Sequence, residues 1–149
     1  MKNIVLSITA GIGAFIAIAL LSFLDTHTSS VVLLMAPFGA TAVLVFGVPE
    51  SPLAQPKNVI FGHLITAFVG ILFFQVFGND PIYLALATGL AISLMLITKT
   101  THPPAGANPL LIMLAGEGWD FLFTPVLIGA VMLVICGKLT KISVRKLLH

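Results

Sequence analysis

"TKTTHPPAGANPLLIML", Thr98 to Leu114, is a helix-breaking run set between long apolar stretches. A lysine stands second, three prolines and a glycine fall within eight residues from His102, and the remainder is purely apolar. Proline is tolerated in the first turn of a helix, where its missing N–H has no partner to lose. The residue ahead of it is pushed toward extended backbone. His102-Pro103-Pro104 therefore predicts a helix start preceded by extended chain. The helix so begun has only twelve residues, Pro103 to Leu114. At 1.5 Å per residue it covers about 18 Å, roughly half a hydrocarbon core.

The rest of the chain explains why so short a helix matters. Of 149 residues, 58% are hydrophobic and only 8% charged, with a mean hydropathy of +1.14. A soluble domain carries roughly 25% charged residues, so this composition predicts an integral membrane protein. No stretch shows the strict alternation of a membrane barrel. The single Cys136 excludes an internal disulfide and any CxxC metal or redox motif. Lys2 followed by an apolar run resembles a leader, but Ile4–Leu24 is longer than a signal core and is read as the first span.

Six apolar segments emerge: Ile4–Leu24, Val31–Gly47, Val59–Phe77, Ile82–Thr98, Pro103–Leu114 and Phe121–Gly137. Four are full length; the second contains Pro37 and the fifth is the short one. If all six cross and the N-terminus is cytoplasmic, Lys2, Lys57, Lys99, Lys138, Lys141, Arg145 and Lys146 all fall inside. That is every Lys and Arg in the chain. Lys and Arg set orientation and acids contribute little. Re-entrant second and fifth segments would put Lys57 and Lys99 outside. The expectation is a multi-pass inner-membrane protein with both termini cytoplasmic. Its basic tail, with Lys138, Lys141 and Arg145 near helical spacing, should extend the last helix along the inner surface.

An internal repeat is also legible. Pro37, Gly39, Ala40, Thr41 and Leu44 align with Pro104, Gly106, Ala107, Asn108 and Leu111 at an offset of 67 residues. The same offset carries Val59, Gly62 and Gly70 onto Val126, Gly129 and Gly137. With six crossings the two copies run in opposite directions. The predicted fold is all-α: one transmembrane domain over residues 1–149, built of two inverted three-segment repeats (about 1–78 and 79–149), with broken helices two and five. Small-residue faces at Gly62, Thr66, Gly70 and at Ala85, Gly89, Ser93 should pack helices closely.

Broken helices in matching positions of inverted halves mark a substrate site near the midplane. A helix that begins inside the membrane leaves its first N–H groups without partners, and these attract anions. The expected substrate-binding set is Pro37, Gly39, Ala40, Thr41, His102, Pro103, Pro104, Gly106, Ala107 and Asn108. The backbone donors are sought around the two Gly-Ala pairs. Pro109 should free the carbonyl of Ala105. His102 is either a helix-start residue or a proton-sensing one, and His63 carries less weight because its repeat equivalent is Ala130. His27 and His149 read as loop and terminus residues.

"THPPAGANPLL" resembles the signature of the HPP family of bacterial and plastid membrane proteins, and "APFGATAVLVFG" upstream is similar to it as well. The resemblance implies a transporter, with nitrite the substrate associated with some members. It also implies four spanning helices, fewer than the six segments read here. Independently, no Asp or Glu lies inside a segment and the only Arg is Arg145 in the tail. That disfavours cations and multiply charged anions, which use carboxylates or guanidinium forks. A small monovalent anion suits the residues, with nitrite favoured by resemblance; a pore for small neutral polar solutes and a non-transporting membrane subunit or scaffold are the alternatives. No enzyme activity, cofactor, metal site or nucleic-acid partner is expected. The partners are the lipid bilayer and the substrate, and a homo-oligomer is compatible with the sequence.

Overall fold

The computed structural model describes residues 2–27 and 33–148. The expected start of the second segment at Val31, and His149, lie outside the described residues. The regular structure is helical throughout: α1 (Lys2–His27), α2 (Pro37–Ala42) with a π-helical continuation (Val43–Gly47), and a 3-10 turn (Pro52–Ala54). Next come α3 (Pro56–Phe77), α4 (Pro81–Ile97), and a 3-10 turn (Pro103–Ala107) that leads into α5 (Asn108–Ala115). A π-helical segment (Leu122–Leu127), broken at Thr124, leads into α6 (Ile128–Leu148). Pro37, Pro56, Pro81 and Pro103 each stand in a first helical turn, where proline is pre-organised to start a helix.

Among the described residues, three helices are long and apolar enough to cross a membrane: Asn3–Asp25, Pro56–Phe77 and Leu122–Lys146. The sequence predicts four full-length segments; the fourth, Ile82–Thr98, forms as α4 at the same length of 17 residues, an apolar helix shorter than these three. It stops because Lys99 turns left-handed (φ 54°) and the Thr100 N–H reaches back to the Met95 carbonyl at 2.9 Å. This is the closing pattern that glycine usually supplies, here with a lysine whose side chain is exposed.

One end of the bundle gathers the basic residues. Lys141 Nζ lies 2.8 Å from Glu50 Oε1, joining α6 to the loop before α3. Asn58 donates to the Thr101 carbonyl at 2.9 Å, joining the start of α3 to the segment after α4. Leu6 and Ala10 of α1 line the same cavity as Lys141 and Arg145. Lys57, Lys99 and the basic tail thus share one end with the start of α1. At the other end, Trp119 Nε1 donates to Gln75 Oε1 at 2.9 Å. The hydrogen bond and charge of Lys141 hold the Glu50 carboxyl below its ordinary range. That contact is present above the ordinary carboxylate pKa and fades as pH falls through the lowered one.

The core is built on glycines. α3 packs on α4 and α5, and α6 packs on α1 and the π-helical continuation of α2. A Cβ on Gly62 would stand 2.9 Å from the Thr100 carbonyl oxygen and from His102 Cβ. One on Gly129 would stand 2.1 Å from the Phe38 ring and 3.2 Å from the Leu33 carbonyl oxygen. Gly70 is as close to Pro109, with Ile112 next at 3.4 Å, and Gly137 is as close to Val45. Gly62, Thr66 and Gly70 are buried, as the small-residue face predicted. The other face, Ala85, Gly89 and Ser93, is exposed instead. α4 buries Ala87, Ala91 and Met95, the face two residues along.

Candidate functional site

The site begins with the two broken segments, which meet. Pro37 starts α2 after Ala36, and its first turn points Pro37, Phe38, Thr41 and Ala42 inward. His102 is extended (φ −138°, ψ 98°) ahead of Pro103, as the double proline dictated. Thr41 Oγ1 and His102 Nε2 are 2.9 Å apart. From α3, His63 Nε2 reaches the same hydroxyl at 2.8 Å. Asn108, at the start of α5, completes the cluster: its Nδ2 lies 3.1 Å from His63 Nδ1, 3.1 Å from the His63 carbonyl and 3.0 Å from Thr66 Oγ1. Thr41, His63, Thr66 and His102 are 0% exposed and Asn108 is 1% exposed. Polar groups so placed are costly unless they are hydrogen-bonded.

The loop before α3 supplies the last partner. His102 Nδ1 is 2.8 Å from the Leu53 carbonyl oxygen. The 3-10 turn that carries Leu53 is capped by Ser51 Oγ, which accepts from the Leu53 N–H. Gln55 ties the loop down by donating to the carbonyls of Pro49 and Ser51. Phe38 packs edge-on to His63, with ring centroids 5.3 Å apart.

With both rings neutral, these contacts assign the proton positions. A carbonyl only accepts, so His102 donates from Nδ1–H to Leu53 and presents a bare Nε2. Thr41 then donates its one hydroxyl proton to that Nε2. His63 must donate from Nε2–H to Thr41 Oγ1, which leaves its Nδ1 bare to accept from Asn108. Asn108 cannot be turned around, because its Nδ2 faces the His63 carbonyl. It also faces Thr66 Oγ1, whose own proton goes to the Gly62 carbonyl at 2.9 Å. The Asn108 Oδ1 is left buried without a partner.

The predicted backbone donors are arranged differently. Gly39 N–H donates to the Ala36 carbonyl at 3.1 Å, and Ala105 N–H to the His102 carbonyl at 3.0 Å. Gly39, Ala40 and Ala107 are exposed, Gly106 is half-buried, and all four lie on the outer side of the junction. Pro103 is exposed there too, while Pro37 and Pro104 are buried. The Ala105 carbonyl is not freed by Pro109. The backbone there is 3-10, so the Asn108 N–H takes that carbonyl one residue earlier. The inward side belongs to side chains, Thr41, His102 and Asn108, and it is filled. Four cavities, of about 570, 420, 370 and 100 Å3, are lined by none of Thr41, His63, His102 or Asn108.

His63, to which the sequence gives little weight, Thr66, which it places only in a packing face, and the Leu53 carbonyl, which it does not point to, all join the cluster. A histidine within an apolar spanning helix is the available signal, since such residues are costly there. Leu53 acts through its carbonyl, which no side-chain pattern reveals.

Residues 1–146 match the family model described as HPP, transmembrane region. The chain belongs to that family. It is 34% identical over 145 residues to a transmembrane protein of Dictyostelium discoideum, covering 92% of this chain and 51% of that one. A second transmembrane protein of that organism is 37% identical over 139 residues, covering 88% of this chain and 45% of the relative. The chain thus spans about half the length of these relatives. No solved structure matches it.

Proposed function

We propose that this HPP-family membrane protein moves a small monovalent anion across the bilayer through the junction of its two broken segments, nitrite being favoured by the family resemblance. The observation that carries the reading is the buried cluster of Thr41, His63, His102 and Asn108 where those segments meet. A membrane interior holds such a set at a cost that packing alone does not require. It contains donors but no carboxylate and no fixed cation, which suits a single small anion better than a metal cation or a phosphate.

The inverted repeat supports the reading. Gly62 approaches the Thr100 carbonyl, and Gly129, its counterpart 67 residues on, approaches the Leu33 carbonyl, the counterpart of Thr100. Gly70 approaches Ile112, and its counterpart Gly137 approaches Val45, the counterpart of Ile112. Reciprocal contacts of this kind are what a twofold relation between halves produces. Thr41 and Asn108 are counterparts too, and both bond to His63. Paired broken helices about such an axis are a transporter architecture.

A second reading rests on Asn108 Oδ1. An unpaired buried acceptor wants a donor, and a small neutral solute with an O–H or N–H brings one. Purified protein in liposomes separates the two. Saturable uptake of nitrite or another small monovalent anion supports the first reading. Swelling with water or urea and no anion flux supports the second, and no flux of any small solute removes both.

We place the basic end of the bundle at the cytoplasmic face, a reading that the Lys and Arg distribution supports. Single cysteines at positions 57 and 99, in a Cys136→Ala background, are expected to react with a membrane-impermeant thiol reagent only after the inner face is opened. Labelling of either from outside would overturn both the orientation and the six-crossing arrangement.

A further inference from the structure

We infer that Thr41, His63 and His102 form a binding site for one proton, taken up on His102 Nε2 and accommodated by rotation of the Thr41 hydroxyl between the two rings; its coupling to an anion rests on the transport reading above. The Thr41 oxygen has three partners within reach: His63 Nε2 at 2.8 Å, His102 Nε2 at 2.9 Å and the Pro37 carbonyl at 3.1 Å. A hydroxyl donates once and accepts twice. With both rings neutral, Thr41 donates to His102 and accepts from His63. When a proton from water adds to His102 Nε2, that nitrogen becomes a donor. Thr41 then accepts from both rings and turns its own O–H to Pro37. No bond is left without a partner in either state. The switch costs one hydroxyl rotation.

Only one proton fits. The ring centroids are 5.0 Å apart, and two imidazolium charges at that distance would repel in an interior without countercharge. The groups facing the pair are Thr41 from α2, the Leu53 carbonyl from the 3-10 turn, Thr66 from α3 and Asn108 from α5. Among the described residues the buried polar set is completed by Thr100 and contains no Asp, Glu, Lys or Arg. Lys57, Lys99 and Glu50 stand on neighbouring segments but are exposed at the bundle end. A proton on this site is therefore an uncompensated buried charge. The anion supplies the missing countercharge, so each ligand raises the affinity for the other by the same factor.

The test reads the rings directly. Protein labelled with 15N-histidine, in a His27→Gln, His149→Gln background and in lipid nanodiscs, is titrated from about pH 8 to 4, a range that brackets ordinary histidine. At the alkaline end His63 should carry its proton on Nε2 and His102 on Nδ1. Acidification should protonate His102 in one step that takes up one proton per chain, with His63 keeping its tautomer and reporting the same step through its altered bond to Thr41, and added nitrite should shift that step to higher pH. Thr41→Ser should keep the common step, and Thr41→Val should uncouple the rings so that one responds without the other. Identical tautomers, two separate steps, rings that stay neutral to pH 4, or a Thr41→Val profile like wild type would each overturn the site. A Thr41→Val chain that does not fold leaves the wild-type tautomers and proton count to decide. A common step unmoved by nitrite overturns the coupling alone. Loss of liposome flux with the proton step intact would remove the transport reading and leave the proton site standing.

Discussion

Gly129→Ala is expected to lower the thermal midpoint of the detergent-solubilised protein by about 5–10 °C, from an overpacking cost of about 1–3 kcal/mol. The new Cβ would fall 2.1 Å from the Phe38 ring, which is 0% exposed, and 3.2 Å from the Leu33 carbonyl. The ring has no room to withdraw, because it packs edge-on to His63. The damage should therefore pass into the polar cluster. Gly62→Ala, at the equivalent position, meets His102 Cβ and the Thr100 carbonyl and should cost a similar amount. Gly89→Ala is the control: nothing lies within 4 Å of its Cβ, and alanine is the better helix former, so its midpoint should hold or rise slightly. Fluorescence-detected size exclusion after heating measures all three. A Gly129→Ala midpoint equal to wild type would remove the close contact on which the reciprocal packing depends.

The glycines mark what the sequence could tell. Gly62 and Gly70 recur as Gly129 and Gly137 at one offset in the sequence, and each of the four stands where a Cβ would meet a neighbour at under 3 Å. The prolines were equally legible: each sets its own φ, so Pro37 and Pro103 announce helix starts without help from tertiary structure. The length of α4 was legible to a residue, 17 residues ending at Ile97 against the expected Ile82–Thr98, but the way it closes was not: its end is set by a left-handed Lys99, and nothing in the lysine side chain predicts that conformation. Nor was the inward face of the broken segments. A six-residue α2 makes fewer than two full turns, so its apolar pattern does not say which side faces α3. The sequence pointed to Gly39 and Gly106 for a close approach; the folded chain turns Thr41 and Asn108 inward and leaves those glycines toward the outside.

Asn108→Ala is expected to reduce anion flux about tenfold or more at every pH, while the protein still elutes as a folded species. Tenfold corresponds to about 1.4 kcal/mol, within the range for removing a partner from a buried polar group. Three contacts vanish with the amide: to His63 Nδ1, to the His63 carbonyl and to Thr66 Oγ1. The first is decisive. Asn108 gives His63 Nδ1 a donor, and so keeps the ring proton on Nε2, where Thr41 needs it. Without the amide, the ring is free to take the other tautomer, and Thr41 loses the bond that orients its hydroxyl toward His102. Asn108→Thr tests the logic, because it installs at this position the residue that stands 67 places earlier in the matching stretch, Thr41. One hydroxyl can supply the donor to Nδ1 but cannot also bond the His63 carbonyl, so flux should recover only in part. His102→Gln should behave differently, flattening the pH profile measured at equal anion concentration and clamped potential, since an amide binds no proton near neutrality. Folded Asn108→Ala protein with wild-type flux would reduce the cluster to a packing element. Loss of flux that Asn108→Thr partly restores would tie transport to the donor at His63 Nδ1, and so to the chain of bonds that ends at the Leu53 carbonyl.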